Sequence, residues 1–141
     1  MAEISTQAVI DAITKSLRDA YPRAVIDDDK VEQGLTPGAF TVNLVTADQQ
    51  SMRGPRYRRA PLFDVIYLPE EGAAECVDVA DRLCAVLSMV TTPGGDLLHG
   101  GGINWRVEDG VLHFLVEYRH FILRQEDKEN MGALQIRGGG Y

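Results

Sequence analysis

Asp109-Gly110 stands between two apolar runs, Ile103 to Val107 before it and Val111 to Val116 after it, and it constrains the fold more than any other feature of the chain. An Asp-Gly pair in that setting marks a two-residue turn whose positive φ angles match the twist of paired strands. Residues 103 to 108 are therefore expected to pair antiparallel with residues 111 to about 123. A chain with such a hairpin must contain a sheet, and the question becomes what covers it.

Two segments supply the cover. Ile10, Ile13, Leu17, Ala20 and Tyr21 recur at helical spacing among Asp11, Lys15, Arg18 and Asp19, so residues 4 to 21 read as an amphipathic helix that Pro22 ends. Cys76, Val79, Ala80, Leu83, Leu87 and Val90 form a second helical stripe over residues 73 to 90. Between the helices, Phe40, Val42 and Leu44 alternate with Thr41, Asn43 and Val45 as a strand does. A loop is expected from Ala47 to Pro55. Residues 62 to 68 then give a strand that is apolar on nearly both faces, with Asp64 the exception. Helices and strands do not alternate strictly, which favours an α+β layer: a four- to five-stranded, mostly antiparallel sheet with two helices packed on one face. The glycine-rich stretch 94 to 102 reads as a flexible connector and residues 127 to 141 as a flexible tail, leaving 1 to 126 as one domain.

Length and composition agree with a single globular core: 141 residues, 45% hydrophobic and 25% charged. No apolar run reaches the roughly 20 residues a membrane span needs. The first residues lack the order of a signal peptide, so the chain is expected to stay where it is made. Cys76 and Cys84, eight residues apart on one helix, would be separated by about 12 Å, too far to bridge.

Signatures of catalysis and cofactor binding are missing. Residues 94 to 102 carry no Gly-Lys-Ser/Thr ending and open no helix, unlike a phosphate loop. His113 and Glu117 would lie roughly 13 Å apart along one strand, too far to share a metal. Asp27-Asp28-Asp29 lacks the alternating ligands and closing Glu of a calcium loop. No nucleophile elbow or zinc helix is present. The expected reading is a non-enzyme without cofactor or metal.

Two features point to partners instead. Arg53, Arg56, Arg58 and Arg59 crowd into one loop and strand start in a chain whose net charge is −7; they read equally as a solvated edge whose charges discourage strand addition and as a docking site, since such forks suit carboxylates and phosphates alike, with acidic protein favoured over DNA by the overall charge. The second feature is excess apolarity, in residues 62 to 68 and in Val111, Leu112, Phe114, Leu115, Val116, Phe121 and Ile122. Two helices cover one face of a small sheet, so the other face calls for loops or another subunit.

From Ile4 to about Glu126 the order of features is an opening helix, Gly34-Leu35-Thr36-Pro37-Gly38-Ala39-Phe40-Thr41-Val42, Phe63-Asp64-Val65-Ile66-Tyr67-Leu68-Pro69, Glu75-Cys76-Val77-Asp78-Val79-Ala80-Asp81-Arg82-Leu83, and Asp109-Gly110-Val111-Leu112-His113-Phe114-Leu115-Val116-Glu117-Tyr118. This order resembles the phage tail terminator family, in particular the small terminators of prophage tails and phage-tail-like bacteriocins from Gram-positive hosts. The resemblance implies a structural virion protein of the tail and neck, assembled in the host cytoplasm. It would form a hexameric ring on the last ring of tail tube protein, stop tube growth and offer a docking surface to the neck or head-tail connector, and to the sheath in a contractile tail. A domain of this length has a radius of gyration of about 14 Å, so six such globules in a ring enclose a hole near 37 Å. DNA would pass that acidic lumen without specific binding.

The expected ring and partner contacts are Gln49, Met52, Arg53, Arg56 and Arg58, then Leu97, Leu98 and His99, then Leu134 and Ile136 in the tail, which could add to a neighbour's sheet edge. A head-tail joining protein is the alternative within the same machine. A small nucleic-acid-binding module using the arginines is the alternative outside it.

Overall fold

The computed structural model describes residues 3–27 and 36–123. Its elements run α1 (Thr6–Ala20), β1 (Ile26–Asp27), β2 (Phe40–Ser51), β3 (Arg56–Tyr67), α2 (Ala73–Val86), β4 (Met89–Thr91), β5 (Leu97–His99), β6 (Gly101–Glu108), β7 (Val111–Glu117) and β8 (His120–Leu123). Five strands lie side by side in the order β1-β2-β3-β7-β6, with β8 beside the first part of β3. Among the described residues only β1 and β2 pair in parallel. The fold is α+β, with both helices on one face of this sheet.

Local chemistry explains the helix ends. Ser5 caps α1, its Oγ accepting from the Ala8 N–H at 3.0 Å. Helix α2 has no side chain at its cap, Gly72, but Glu75 reaches back instead. Its Oε1 accepts from the Glu70 and Glu71 N–H groups at 3.0 and 2.8 Å, and its Oε2 accepts from the Tyr67 hydroxyl. Burial works to raise the Glu75 carboxyl, but the bonds from Tyr67, Glu71 and Glu70 together hold it below the usual carboxylate range.

Helix α2 stops at Val86, four residues short of the sequence expectation. Val90 does face the core, but from β4. The carbonyls that a longer helix would need are taken by distant donors: Tyr118 Oη donates to Leu87 O at 2.6 Å and the Gly100 N–H to Ser88 O at 2.8 Å. Helical spacing cannot report tertiary bonds of this kind.

The core lies between helices and sheet. Val9, Ile13 and Leu17 from α1, with Cys76, Leu83 and Leu87 in and after α2, close over Phe40, Val42, Phe63, Val65, Leu112, Phe114 and Val116. Full burial of such side chains stabilises by roughly 1.5–3 kcal/mol each. Both cysteines are free thiols, raised first by burial and then by Glu75 beside Cys76 and Asp81 beside Cys84.

The hairpin at Asp109-Gly110 forms as expected, with positive φ at both residues, 54° and 77°. Its second strand is shorter than expected. The chain shifts after Glu117, so that β7 pairs with Leu62–Tyr67 and β8 with Arg56–Arg59. Pro61, which has no N–H to give a ladder, sits at the break, where its carbonyl accepts from the Tyr118 N–H at 3.0 Å.

Residues 94 to 102 are not a flexible connector. Thr92-Pro93-Gly94-Gly95-Asp96 forms a bonded turn between β4 and β5, with the Thr92 N–H reaching Asp96 O at 2.8 Å. Gly100 follows at a point of close approach: a Cβ there would stand 2.5 Å from Leu87 O and 2.9 Å from Val116 Cγ2. Glycine is needed here for space, where the sequence suggested freedom.

The second face of the sheet is only partly apolar. Leu62, Val111 and Leu115 are half-buried there, while Ile66 and Thr41 are 9% and 3% exposed. Among them Asp64 Oδ2 meets His113 Nδ1 at 2.9 Å.

Candidate functional site

The arginine cluster, expected in a loop and the start of a strand, belongs to a projecting β arm. Strands β2 and β3 continue past the sheet body, pairing from Thr46↔Leu62 to Ser51↔Tyr57, and the Met52 N–H closes the tip on Arg56 O at 2.8 Å. A register shift between Leu44 and Thr46 marks a bulge at the arm's root. Beyond it, residues 44 to 56 are all exposed. Sequence periodicity missed the arm because a strand wet on both faces has no reason to alternate apolar and polar residues.

An isolated two-stranded ribbon is marginal in water, and side chains of this arm support it. Arg58 Nη2 donates to Gln50 Oε1 at 2.7 Å, and Arg59 Nε to Gln49 Oε1 at 2.8 Å, each across the two strands. Arg59 also ties the arm to the start of α1, through Ile4 O at 3.2 Å and the Glu3 carboxylate at 3.4 Å. Strand β8 widens the ribbon, with the Arg56 guanidinium 5.8 Å from the Phe121 ring centroid. Arg53, at the tip, has no partner among the described residues.

Gln49, Met52, Arg53, Arg56 and Arg58 thus all fall on the arm. Leu97 and His99 sit with Met89 and Thr91 on the exposed face of the β4–β5 hairpin. Leu98 points the other way, 3% exposed in the core, so it offers nothing to a partner. Leu134 and Ile136 lie outside the described residues. Sequence reasoning did not select Phe121 and Leu123 as contacts, although they are 55% and 63% exposed beside Arg58 and Arg56. Their alternation with the buried His120 and Ile122 is the signal that could have found them.

At the far end of β3 lies a cleft of about 370 Å³, formed by Ala20, Tyr21, Pro22, Arg23, Ala24, Gly38, Tyr67 and Glu70. Two tyrosines line it, Tyr21 and Tyr67, and both pack on the buried Phe40, with centroid distances of 5.0 and 4.6 Å. Burial, then the bond to Glu75, pushes the Tyr67 phenol up; burial raises that of Tyr21 against the opposing Arg82 charge. Arg82 covers the Tyr21 ring at 4.9 Å and donates to Ala20 O at 3.2 Å. Gly38, at φ 84°, lets the Glu70 carboxylate lie against the backbone, where a Cβ would stand 2.8 Å from Oε2.

Among the described residues no group of three or more His, Cys, Asp or Glu side chains could hold a metal, and no helix is long and apolar enough to cross a membrane. A family model described as phage tail terminator protein matches residues 8–130. The chain belongs to the phage tail terminator family. No curated protein matches it. One solved structure, of a protein without a functional name, is 14% identical over 88% of this chain and 99% of the other, with a TM-score of 0.42. Membership gives the terminator a structural role in a phage tail.

Proposed function

We propose that this terminator forms a ring on the end of the tail tube, stops tube polymerisation and presents its other side to the neck or head-tail connector, and to the sheath where the tail contracts. The observation that carries this reading is the arm. A ribbon that projects from its own core with Leu44, Val45, Met52, Phe121 and Leu123 exposed along it has the form of an element that gains its burial from a neighbour. The exposed face of the β4–β5 hairpin, with Met89 and Leu97, is a second contact surface of the same kind.

Subunit size permits such a ring, since six globules of this length would leave a hole near 37 Å, wide enough for duplex DNA. The arginines do not argue for a DNA grip. Arg58 and Arg59 are engaged with Gln50, Gln49, Ile4 and Glu3, and Arg56 lies over Phe121. With a net charge of −7 the subunit suits a lumen that DNA traverses without adhering. The tail segment with Leu134 and Ile136 adds, on this reading, a strand to a neighbour's sheet edge.

Negative-stain imaging of the purified protein tests the proposal. Rings with a central hole support it. Particles that stay single at high concentration, alone and on tube ends, count against it.

A further inference from the structure

The two ends of strand β3 differ in charge and shape. At its start the arm carries Arg53, Arg56, Arg58 and Arg59 against Asp48 alone. Beyond its end Glu70 and Arg23 line the cleft, with Glu75 at the head of α2. Arg53, at the arm's tip, and the Glu70 carboxylate, at the cleft, are both without a partner among the described residues. Every other arginine of the arm is engaged, so Arg53 is the cation left over.

We infer that ring contact is head to tail, with the arm tip of one copy seated in the cleft of the next and Arg53 bonded to Glu70. The inference rests on the ring reading above. Several observations converge on a second copy as the occupant. Arg56 and Tyr67 are the ends of a twelve-residue strand, about 36 Å apart at strand rise, so a folded copy cannot reach its own cleft. A contact between different surfaces of identical copies is heterologous, and such contacts close into rings when the rotation allows. The chemistry of the two parts also fits. The Glu70 carboxylate at the cleft is a group a guanidinium can fork onto, and Tyr21 and Tyr67 line the cleft with it. Met52, next to Arg53 and exposed, supplies a flexible thioether for the apolar wall at Pro22 and Ala24.

Native mass spectrometry across a concentration series, at low and moderate salt, tests this with R53E, E70R and the double variant R53E/E70R. Both side chains are at exposed positions, so melting temperatures should match wild type and folding should not confound the result. Either single reversal is expected to raise the concentration at which rings assemble by roughly tenfold or more, because it sets like charges face to face. The double variant, which restores opposite charges at every contact, should recover most of that loss. Rings that persist equally in all three variants, or a double variant no better than the singles, would overturn the contact and leave the ring reading standing. A wild type that forms no ring under any condition would overturn both.

Discussion

Replacing Gly100 with alanine puts a methyl group where backbone already stands. The added Cβ would lie 2.5 Å from Leu87 O, 2.9 Å from Val116 Cγ2 and 3.2 Å from Tyr118 Cε1. The first of these is a backbone atom at the end of α2 and the other two belong to fully buried side chains, so none can swing aside. Overpacking of this kind costs about 1–3 kcal/mol. Relief by moving Leu87 would also weaken its 2.6 Å bond from Tyr118 Oη, about 1 kcal/mol more. A total near 3 kcal/mol lowers the melting temperature of a domain this size by about 10 °C. Differential scanning calorimetry of G100A measures it, with G101A as the control, since a Cβ at Gly101 meets nothing within 4 Å. If G100A melted within about 2 °C of wild type while G101A did the same, the close approach of this turn to α2 would be wrong.

Leu83→Ala should cost about 2–5 kcal/mol by opening a cavity beneath α2, where Leu83 is fully buried; the urea midpoint reads it. Glu75→Ala strips the acceptor from the Glu70 and Glu71 N–H groups and from Tyr67, and should cost about 1 kcal/mol. Because the folded Glu75 carboxyl is held low, its contribution is present above the ordinary carboxylate value near 4.3 and lost as pH falls through the folded value. Wild type and E75A should therefore converge in stability in acid. Tyr118→Phe removes the donor to Leu87 O and should cost about 1–3 kcal/mol at neutral pH. Burial raises the Tyr118 phenol, so its contribution is full below the ordinary tyrosine value near 10 and is lost as pH rises through the folded one. Stability should fall less steeply above pH 10 in Y118F than in wild type.

What could be seen in the sequence was whatever a repeating pattern or a turn residue reports. The Asp109-Gly110 turn and the stripe Cys76, Val79, Ala80, Leu83 became the hairpin and helix that their spacing implied. Two failures share a cause. Gly100 looked like one flexible residue among several, because the atoms that require it, on Leu87 and Val116, are remote in the chain. The helix end at Val86 was hidden for the same reason, its spare carbonyls being claimed by Tyr118 and Gly100. At the candidate site, the arginines gave away the arm's position but not its form. Thr46, Asp48 and Gln50 carry no apolar alternation because no core lies under them. The cleft was invisible in sequence, since Tyr21, Gly38 and Tyr67 come from three separate segments that the fold brings together.

The central claim is that this terminator ends tube growth, and the length of tubes tests it most directly. Tube protein from the same tail, polymerised with increasing amounts of the terminator and measured by electron microscopy, should give shorter tubes as the ratio rises, each bearing ring density at one end. Tubes that grow to the same lengths with bare ends, at every ratio, would contradict it.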